Sequence, residues 1–196
     1  MALGVVGAVL VGLAMWGVIA DDRSHSAASG SPPSSGQNGQ NGPVSGDTKV
    51  VTATDQKSQL TVPGSWKDLP ASAKNELAVL QLGDLPKEQY VLVISENASD
   101  FENFTAFSAA SIEGAKTLVA GAEVGEQRKL TIGGLNAVQY QVTGKAGGVK
   151  AVFWYTMVEG KRGFYQVLGW TLPSKKPEAE PVVLKVIDSF RELGGG

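Results

Sequence analysis

The chain has 196 residues, of which 42% are hydrophobic and 18% are charged, and its formal net charge is −2. This length is enough for one ordinary domain with accessory segments. Seventeen Lys and Arg stand against 19 Asp and Glu, which argues against nucleic acid as a partner, because affinity for a phosphate backbone depends on clustered cations. The lack of any cysteine excludes disulfides, thiol catalysis, Cys-ligated zinc and a lipid-modified N-terminal Cys.

The first element is an unbroken run of 19 apolar or small residues at positions 2–20. As a helix it would be about 28 Å long, close to the roughly 30 Å hydrocarbon core of a bilayer. We predict an N-terminal transmembrane segment over residues 1–20 that contacts membrane lipid through residues 2–20. It is either a retained signal anchor or a signal peptide cleaved after Ala20, where small residues suit a peptidase. We therefore expect a single-pass protein of the cell membrane with its domain on the extracytoplasmic side, secreted if cleavage occurs.

Gly4, Ala8 and Gly12 lie on one stripe of this helix, at the small-xxx-small spacing that lets two membrane helices approach closely. Weak self-association through this stripe is one interpretation. Because eight of the first 20 residues are Gly or Ala, a chance arrangement is the interpretation we favour.

Residues 21–47 are rich in Ser, Gly, Pro, Asn and Gln. Such a composition cannot bury enough surface to fold, so a disordered linker is predicted. A flexible chain of about 26 residues has an r.m.s. span of roughly 28 Å, enough to clear the lipid headgroups. His25, the only histidine of the chain, lies here and is interpreted as part of a spacer.

Residues 48–193 carry the apolar runs and turn signals of a folded domain. In its first part these patterns predict four strands and then a helix over residues 99–119. Apolar side chains recur at helical spacing there, and Ser99 with Glu102 matches a capping box. The four strands are expected at 49–54, 58–62, 77–82 and 90–94.

The second part of the domain returns to the two-residue period of strands. Two hairpins are predicted, one turning at Gly133-Gly134 and the other at residues 159–162. A last helix is expected over residues 181–193, with Pro181 in its first turn, before a flexible Gly tail at 194–196. The predicted strands of these hairpins are 127–132, 135–143, 150–158 and 163–171.

The order of four strands, a helix, four strands and a helix predicts an α+β fold. Helices that do not alternate with single strands favour a mostly antiparallel β-sheet. The strand at 151–158 is apolar on both faces, so we expect helices packed on both faces of the sheet, in an α/β/α sandwich.

Three short segments carry a family resemblance: Leu-Thr-Val-Pro-Gly-Ser-Trp at 60–66, Tyr-Gln-Val at 165–167 with Trp170-Thr171, and Val-Ile-Asp-Ser-Phe at 186–190. Together they resemble the PsbP-like superfamily, which includes the DcrB-like and LpqN-like bacterial envelope proteins. The resemblance implies an antiparallel sheet between helices and a non-enzymatic accessory, assembly or binding role. The bacterial relatives are often lipoproteins, and this chain departs from them by lacking the anchoring Cys. The family has no shared catalytic motif, so no site residue is transferred.

The domain offers little catalytic chemistry. With no His or Cys in it, His-based triads, His-ligated zinc and thiol nucleophiles are excluded, and we expect no cofactor or metal. Glu96, Asp100 and Glu102 cluster near the predicted helix start. Favourable placement at a helix N-terminus accounts for them without catalysis, and a hydrolase that uses carboxylates alone is the minor alternative.

The most distinctive candidate for a binding surface is the aromatic hairpin around residues 159–162. The candidate residues of this surface are Trp154, Tyr155, Tyr165, Lys161 and Arg162. Aromatic side chains dominate binding hot spots, and two cations at the tip suit anionic headgroups. Core packing and cross-strand pairing are the favoured interpretation of the rings.

The leading functional hypothesis is a membrane-tethered extracytoplasmic domain of the cell envelope that binds or assists and does not catalyse. An envelope protein of unknown identity would be its partner. The alternative is an extracytoplasmic carrier of a lipid or another apolar small molecule, held in a cavity between the sheet and a helix.

Overall fold

The structure is a computed structural model that describes residues 47–194. The predicted transmembrane segment, the linker up to residue 46 and the stripe of Gly4, Ala8 and Gly12 lie outside the described residues. The last two residues of the predicted Gly tail lie outside them as well.

The described chain alternates groups of strands with single helices. The first group is β1 (Thr48–Thr52), β2 (Ser58–Pro63), β3 (Lys67–Asp68), β4 (Leu80–Asp84) and β5 (Gln89–Glu96). Helix α1 (Phe104–Leu118) follows, and then β6 (Ala120–Val124), β7 (Arg128–Ile132), β8 (Leu135–Ala146), β9 (Val149–Glu159) and β10 (Phe164–Thr171). Helix α2 (Lys176–Asp188) and β11 (Arg191–Glu192) end it. Short 3₁₀ turns occupy Ala71–Ala73, Ala98–Asp100 and Pro173–Lys175.

Eight of the strands form one sheet in the order β3-β4-β5-β10-β9-β8-β6, with β7 also paired to β8. The remaining strands form a small sheet in the order β1-β2-β11. The pairings within the described residues are antiparallel. The prediction of a mostly antiparallel sheet is confirmed.

The two helices pack on opposite faces of the large sheet. Because successive side chains of a strand point to opposite faces, β9 contributes to two separate cores. Phe153, Tyr155 and Met157 pack with α1, whereas Val152, Trp154 and Val158 pack with α2. A central strand buried on both faces explains the apolar run in the sequence, and the expected α/β/α layering is confirmed.

Helix α1 begins five residues later than predicted. Asn103 caps it, since its side-chain oxygen accepts a hydrogen bond from the backbone N–H of Ala106 at 3.0 Å. Ser99 lies in the preceding 3₁₀ turn, so the capping box of Ser99 and Glu102 was wrong. Phe101, just before the helix, packs its ring against Phe107 at 5.0 Å between centroids.

Helix α2 begins and ends earlier in the chain than the predicted range of 181–193. It starts at Lys176, so Pro177 is the proline of the first turn and Pro181 lies inside the helix. It ends at Asp188, and the chain turns to bury Phe190 and to pair Arg191 and Glu192 with β2. Phe190 and Leu193 continue the helical spacing of apolar residues, which extended the predicted helix beyond its true end. The short strands β3, β6 and β11 were not predicted, because two to five residues with small or polar side chains carry no clear period.

Candidate binding surface

The three aromatic residues proposed from the sequence as a binding surface lie in the core. Trp154, Tyr155 and Tyr165 are 1%, 0% and 0% exposed. Trp154 packs in the layer under α2, and Tyr155 packs in the layer under α1. None of these rings offers a surface to a partner in this structure, and burial raises the pKa of the Tyr155 phenol far above its ordinary value.

The tip of the β9–β10 hairpin is bound by the C-terminal segment. The Glu192 carboxylate accepts hydrogen bonds from the backbone N–H groups of Lys161 and Arg162, both at 2.8 Å. The Tyr165 hydroxyl donates to the same carboxylate at 3.0 Å, and the Arg162 guanidinium donates to the Leu193 carbonyl at 3.2 Å. Burial, and then the bond to Glu192, raise the pKa of Tyr165. The side chains of Lys161 and Arg162 remain exposed, and their contact with a partner stays a prediction.

An open cleft lies on the opposite end of the sheet from this tip. Its volume is about 410 Å³, within the range of small-molecule sites. We call it the β6–β8–β9 cleft, after the strands that line it. Its lining residues are Ala120, Gly121, Glu123, Thr143, Gly144, Lys145 and Lys150.

The β6–β8–β9 cleft opens on the face of the sheet that carries α2. Thr143 pairs with Val152, a residue of the core under α2, and directly opposed residues share a face. Helix α2 packs on β10, β5, β2 and β9. The part of the face formed by β6 and β8 lies to one side of these contacts, which leaves room for the cleft.

Two lysines face each other across the floor of the cleft. Lys145 of β8 is directly opposite Lys150 of β9, so their Cβ atoms are about 5 Å apart. The turn between them fixes this register, because Gly147 and Gly148 both adopt positive φ and close a two-residue hairpin. Within residues 47–194, the ion pairs closer than 4 Å join Lys87 to Asp84, Lys116 to Glu113 and Lys176 to Glu180. Neither cleft lysine has a carboxylate of the described chain at that distance.

A β-bulge forms one wall of the cleft. The register passes from Ala120 opposite Lys145 to Glu123 opposite Thr143, so Gly121 and Ala122 together face Gly144 alone. Gly121 has a φ of 65°, the left-handed conformation typical of one type of bulge. A Cβ on Gly144 would collide with Val119 and approach the Ala120 carbonyl. Gly144 therefore lets the end of α1 and the start of β6 close over β8.

The sequence reasoning did not single out the residues of this cleft. A signal was present, because Lys-Ala-Gly-Gly-Val-Lys at 145–150 is symmetric about a diglycine turn. A two-residue hairpin at that turn places the two lysines opposite each other. The bulge, which depends on how β6 joins α1, has no comparable signal.

The acidic residues considered for carboxylate catalysis lie apart from the cleft. Glu96 ends β5 opposite Phe164, while Asp100 and Glu102 are exposed. Burial, and then the negative charge of Asp100, raise the pKa of Glu96. No group of three or more His, Cys, Asp or Glu suited to a metal ion is found within residues 47–194. The described helices include none that is long and apolar enough to cross a bilayer.

The described residues form an α+β domain with a mostly antiparallel sheet between helices, and this fold is similar to that of a PsbP protein of known structure. Cyanobacterial PsbP (CyanoP) from Synechocystis sp. PCC 6803 superposes with a TM-score of 0.55 at 14% identity, covering 81% of this chain and 98% of that one. The fold that the resemblance to the PsbP-like superfamily implied is thus confirmed.

Two further structures are similar at lower scores. LpqN of Mycobacterium tuberculosis, a protein involved in cell envelope biogenesis, has 14% identity and a TM-score of 0.49 over 76% of this chain and 91% of that one. The Ran-binding protein Mog1p of Saccharomyces cerevisiae has 11% identity and a TM-score of 0.49 over 75% and 96%. No protein-family model matches the chain, and no curated protein matches it by sequence.

Proposed function

We propose that this chain is a membrane-tethered extracytoplasmic domain of the cell envelope that binds a partner and has no enzymatic activity of its own. Residues 2–20 hold it at the membrane, and the linker at 21–47 gives the domain its reach. The apolar length of the first segment supports the tether. The β6–β8–β9 cleft is the observation that carries the binding role, because it is an open site of about 410 Å³ at the surface of the sheet.

The packing of the interior favours surface binding over the carrier alternative. A carrier of apolar molecules needs a cavity between the sheet and a helix. Under α1 this space is occupied by side chains of the helix, such as Phe107 and Ile112, and by side chains of the sheet, such as Phe153 and Leu168. Under α2, Val183 and Ile187 pack on Val167 in the same manner.

Cell fractionation of the full-length protein tests the tether. The expected result is a membrane pool that resists a high-pH wash, with residues 47–194 degraded by protease added to spheroplasts. N-terminal sequencing of the mature protein decides between anchor and signal peptide, since a start at Asp21 indicates secretion. A full-length product found only in the soluble cytosolic fraction would contradict the proposal.

Site-specific photo-crosslinking in living cells tests the binding role. A photo-reactive amino acid at position 143 lies in the wall of the cleft, whereas one at position 113 lies on the exposed face of α1. We expect a discrete crosslinked species from position 143 that is absent from position 113. Equal crosslinking from both positions would show that the cleft is not the contact surface.

A further inference from the structure

We propose that the β6–β8–β9 cleft binds a phosphate group, held between Lys145 and Lys150 beside the bulge of β6. This inference rests on the proposed binding role and names the chemistry of its ligand. The phosphate is either a free anion or part of a lipid headgroup, and both offer a tetrahedral phosphorus with anionic non-bridging oxygens to the cleft.

The cleft carries two positive charges that the described chain leaves without a partner carboxylate. Lys145 and Lys150 are directly opposed and exposed, and like charges at opposed positions destabilise a strand pair. No carboxylate of residues 47–194 lies within 4 Å of either ammonium. An anion between the two side chains replaces this repulsion with two attractions. A phosphate carries one negative charge as a diester headgroup and between one and two as the free anion at neutral pH, so both ammonium groups attract it, and Lys binds phosphate as a compact point charge.

The backbone of the β6 bulge lies beside these two lysines. Gly121 and Ala122 stand outside the ladder between β6 and β8, which leaves the extra residue of the bulge unpaired. Gly121 is exposed, lines the cleft and has a left-handed φ of 65°. Backbone N–H groups around such a residue form concavities that bind anions. The bulge therefore leaves backbone outside the ladder beside the two positive charges, and Thr143 lines the same cleft.

The size of the cleft and the negative charge of Glu123 both affect which ligand it can bind. A volume of about 410 Å³ exceeds that of a phosphate ion and admits a group attached to it. Glu123 lines the same cleft, and its carboxylate repels an anion bound there. The Glu123→Gln variant keeps the shape of this side chain and removes its charge, so it should bind phosphate about threefold more tightly.

The test uses the isotope-labelled full-length chain in a neutral detergent, titrated with inorganic phosphate and followed by the backbone amide signals of Gly121, Thr143 and Gly144. We expect saturable shifts that weaken as salt is raised. Lys145→Ala and Lys150→Ala should each weaken binding about tenfold, and the double variant should abolish it. Lys161→Ala, which removes the same charge from the exposed tip of the β9–β10 hairpin, is the matched control and should bind as the unaltered chain does.

A second arm separates the two sources of phosphate. The same chain is placed in nanodiscs of phosphatidylcholine alone or mixed with phosphatidylglycerol, in buffer without phosphate. Shifts of the cleft amides that need phosphatidylglycerol, and are lost in the double lysine variant, assign a lipid headgroup. Shifts that need added inorganic phosphate assign the free anion.

The inference is overturned if neither probe shifts the cleft amides, or if Lys161→Ala weakens binding as much as the cleft variants do. The failure of the proposed function is a separate result. If the protein binds phosphate but is found only in the cytosol, the phosphate site is supported and the membrane tether is contradicted. If the protein is membrane-bound but neither probe shifts the cleft amides, the tether is supported and the phosphate site is contradicted.

Discussion

The phenol of Tyr165 donates a hydrogen bond to the Glu192 carboxylate at 3.0 Å, and this contact fastens the end of the chain to the β9–β10 hairpin. The same carboxylate accepts hydrogen bonds from the backbone N–H groups of Lys161 and Arg162. One side chain of the two-residue strand β11 thus satisfies three donors. The small sheet β1-β2-β11 is held to the large sheet at this point, so Glu192 is a structural residue of the hairpin tip.

The Glu192→Gln variant should unfold more easily than the unaltered protein. The amide keeps one acceptor oxygen but turns its other end into a donor, which faces the hairpin N–H groups. Because hydrogen bonds to charged groups contribute about 1.5–3 kcal/mol each, we expect the free energy of unfolding to fall by about 2 kcal/mol. Thermal unfolding measures it. Glu178→Gln, an exposed residue of the first turn of α2, is the control, and an equal loss there would contradict the role of Glu192.

Gly169→Ala should destabilise the packing of α2 on the sheet. A Cβ at this position of β10 would collide with Val183 and lie 3.1 Å from Ile187, two buried residues of α2. Overpacking of this kind costs about 1–3 kcal/mol. Denaturant unfolding measures the loss, and Gly194→Ala, where an added Cβ meets nothing within 4 Å, serves as the control. Unchanged stability in Gly169→Ala would mean that α2 does not approach the sheet this closely.

Substitutions at Asn103 and Ser99 show which of the two residues caps α1. Asn103→Ala removes the bond to the Ala106 N–H and should cost about 1 kcal/mol. Ser99→Ala should have little effect, because Ser99 makes no cap bond to α1 and is exposed. Chemical denaturation of both variants measures the difference. The reverse order of effects would restore the capping box of Ser99 and Glu102.

The pKa of Glu96 predicts a specific dependence of stability on pH. Burial, and then the charge of Asp100, raise it above its ordinary value of 4.5, so the folded chain keeps this proton to a higher pH than the unfolded chain does. The contribution of Glu96 to stability is therefore greatest at acid pH and falls as pH rises from 4.5 through the folded pKa.

Glu96→Gln removes this dependence and should raise the melting temperature relative to the unaltered protein at pH 7, with a smaller difference at pH 4. Melting curves across that range measure the effect, and Glu102→Gln controls for the loss of one negative charge. A difference that grows toward acid pH would reverse the sign and refute the assignment to Glu96.

The sequence by itself determined the layers of this protein. The two-residue period at 135–143 and the apolar run at 151–158 indicate which faces of a strand are buried, and the diglycine turn at 133–134 indicates a hairpin. They predicted the antiparallel sheet and the helices on both faces. The helix ends were less well determined, because Asn103 and Ser99 are both good cap residues, and in the structure it is Asn103 that accepts the bond from the Ala106 N–H.

The tertiary structure alone decided which residues are accessible. Trp154, Tyr155 and Tyr165 have side chains suited to either a core or a surface, and two covering helices place them in the core. The pairing of Lys145 with Lys150 follows from a local two-residue hairpin, but the cleft beside them depends on a bulge formed where β6 leaves α1. Burial and cleft shape arise from contacts between segments far apart in the chain, and a local sequence pattern does not contain those contacts.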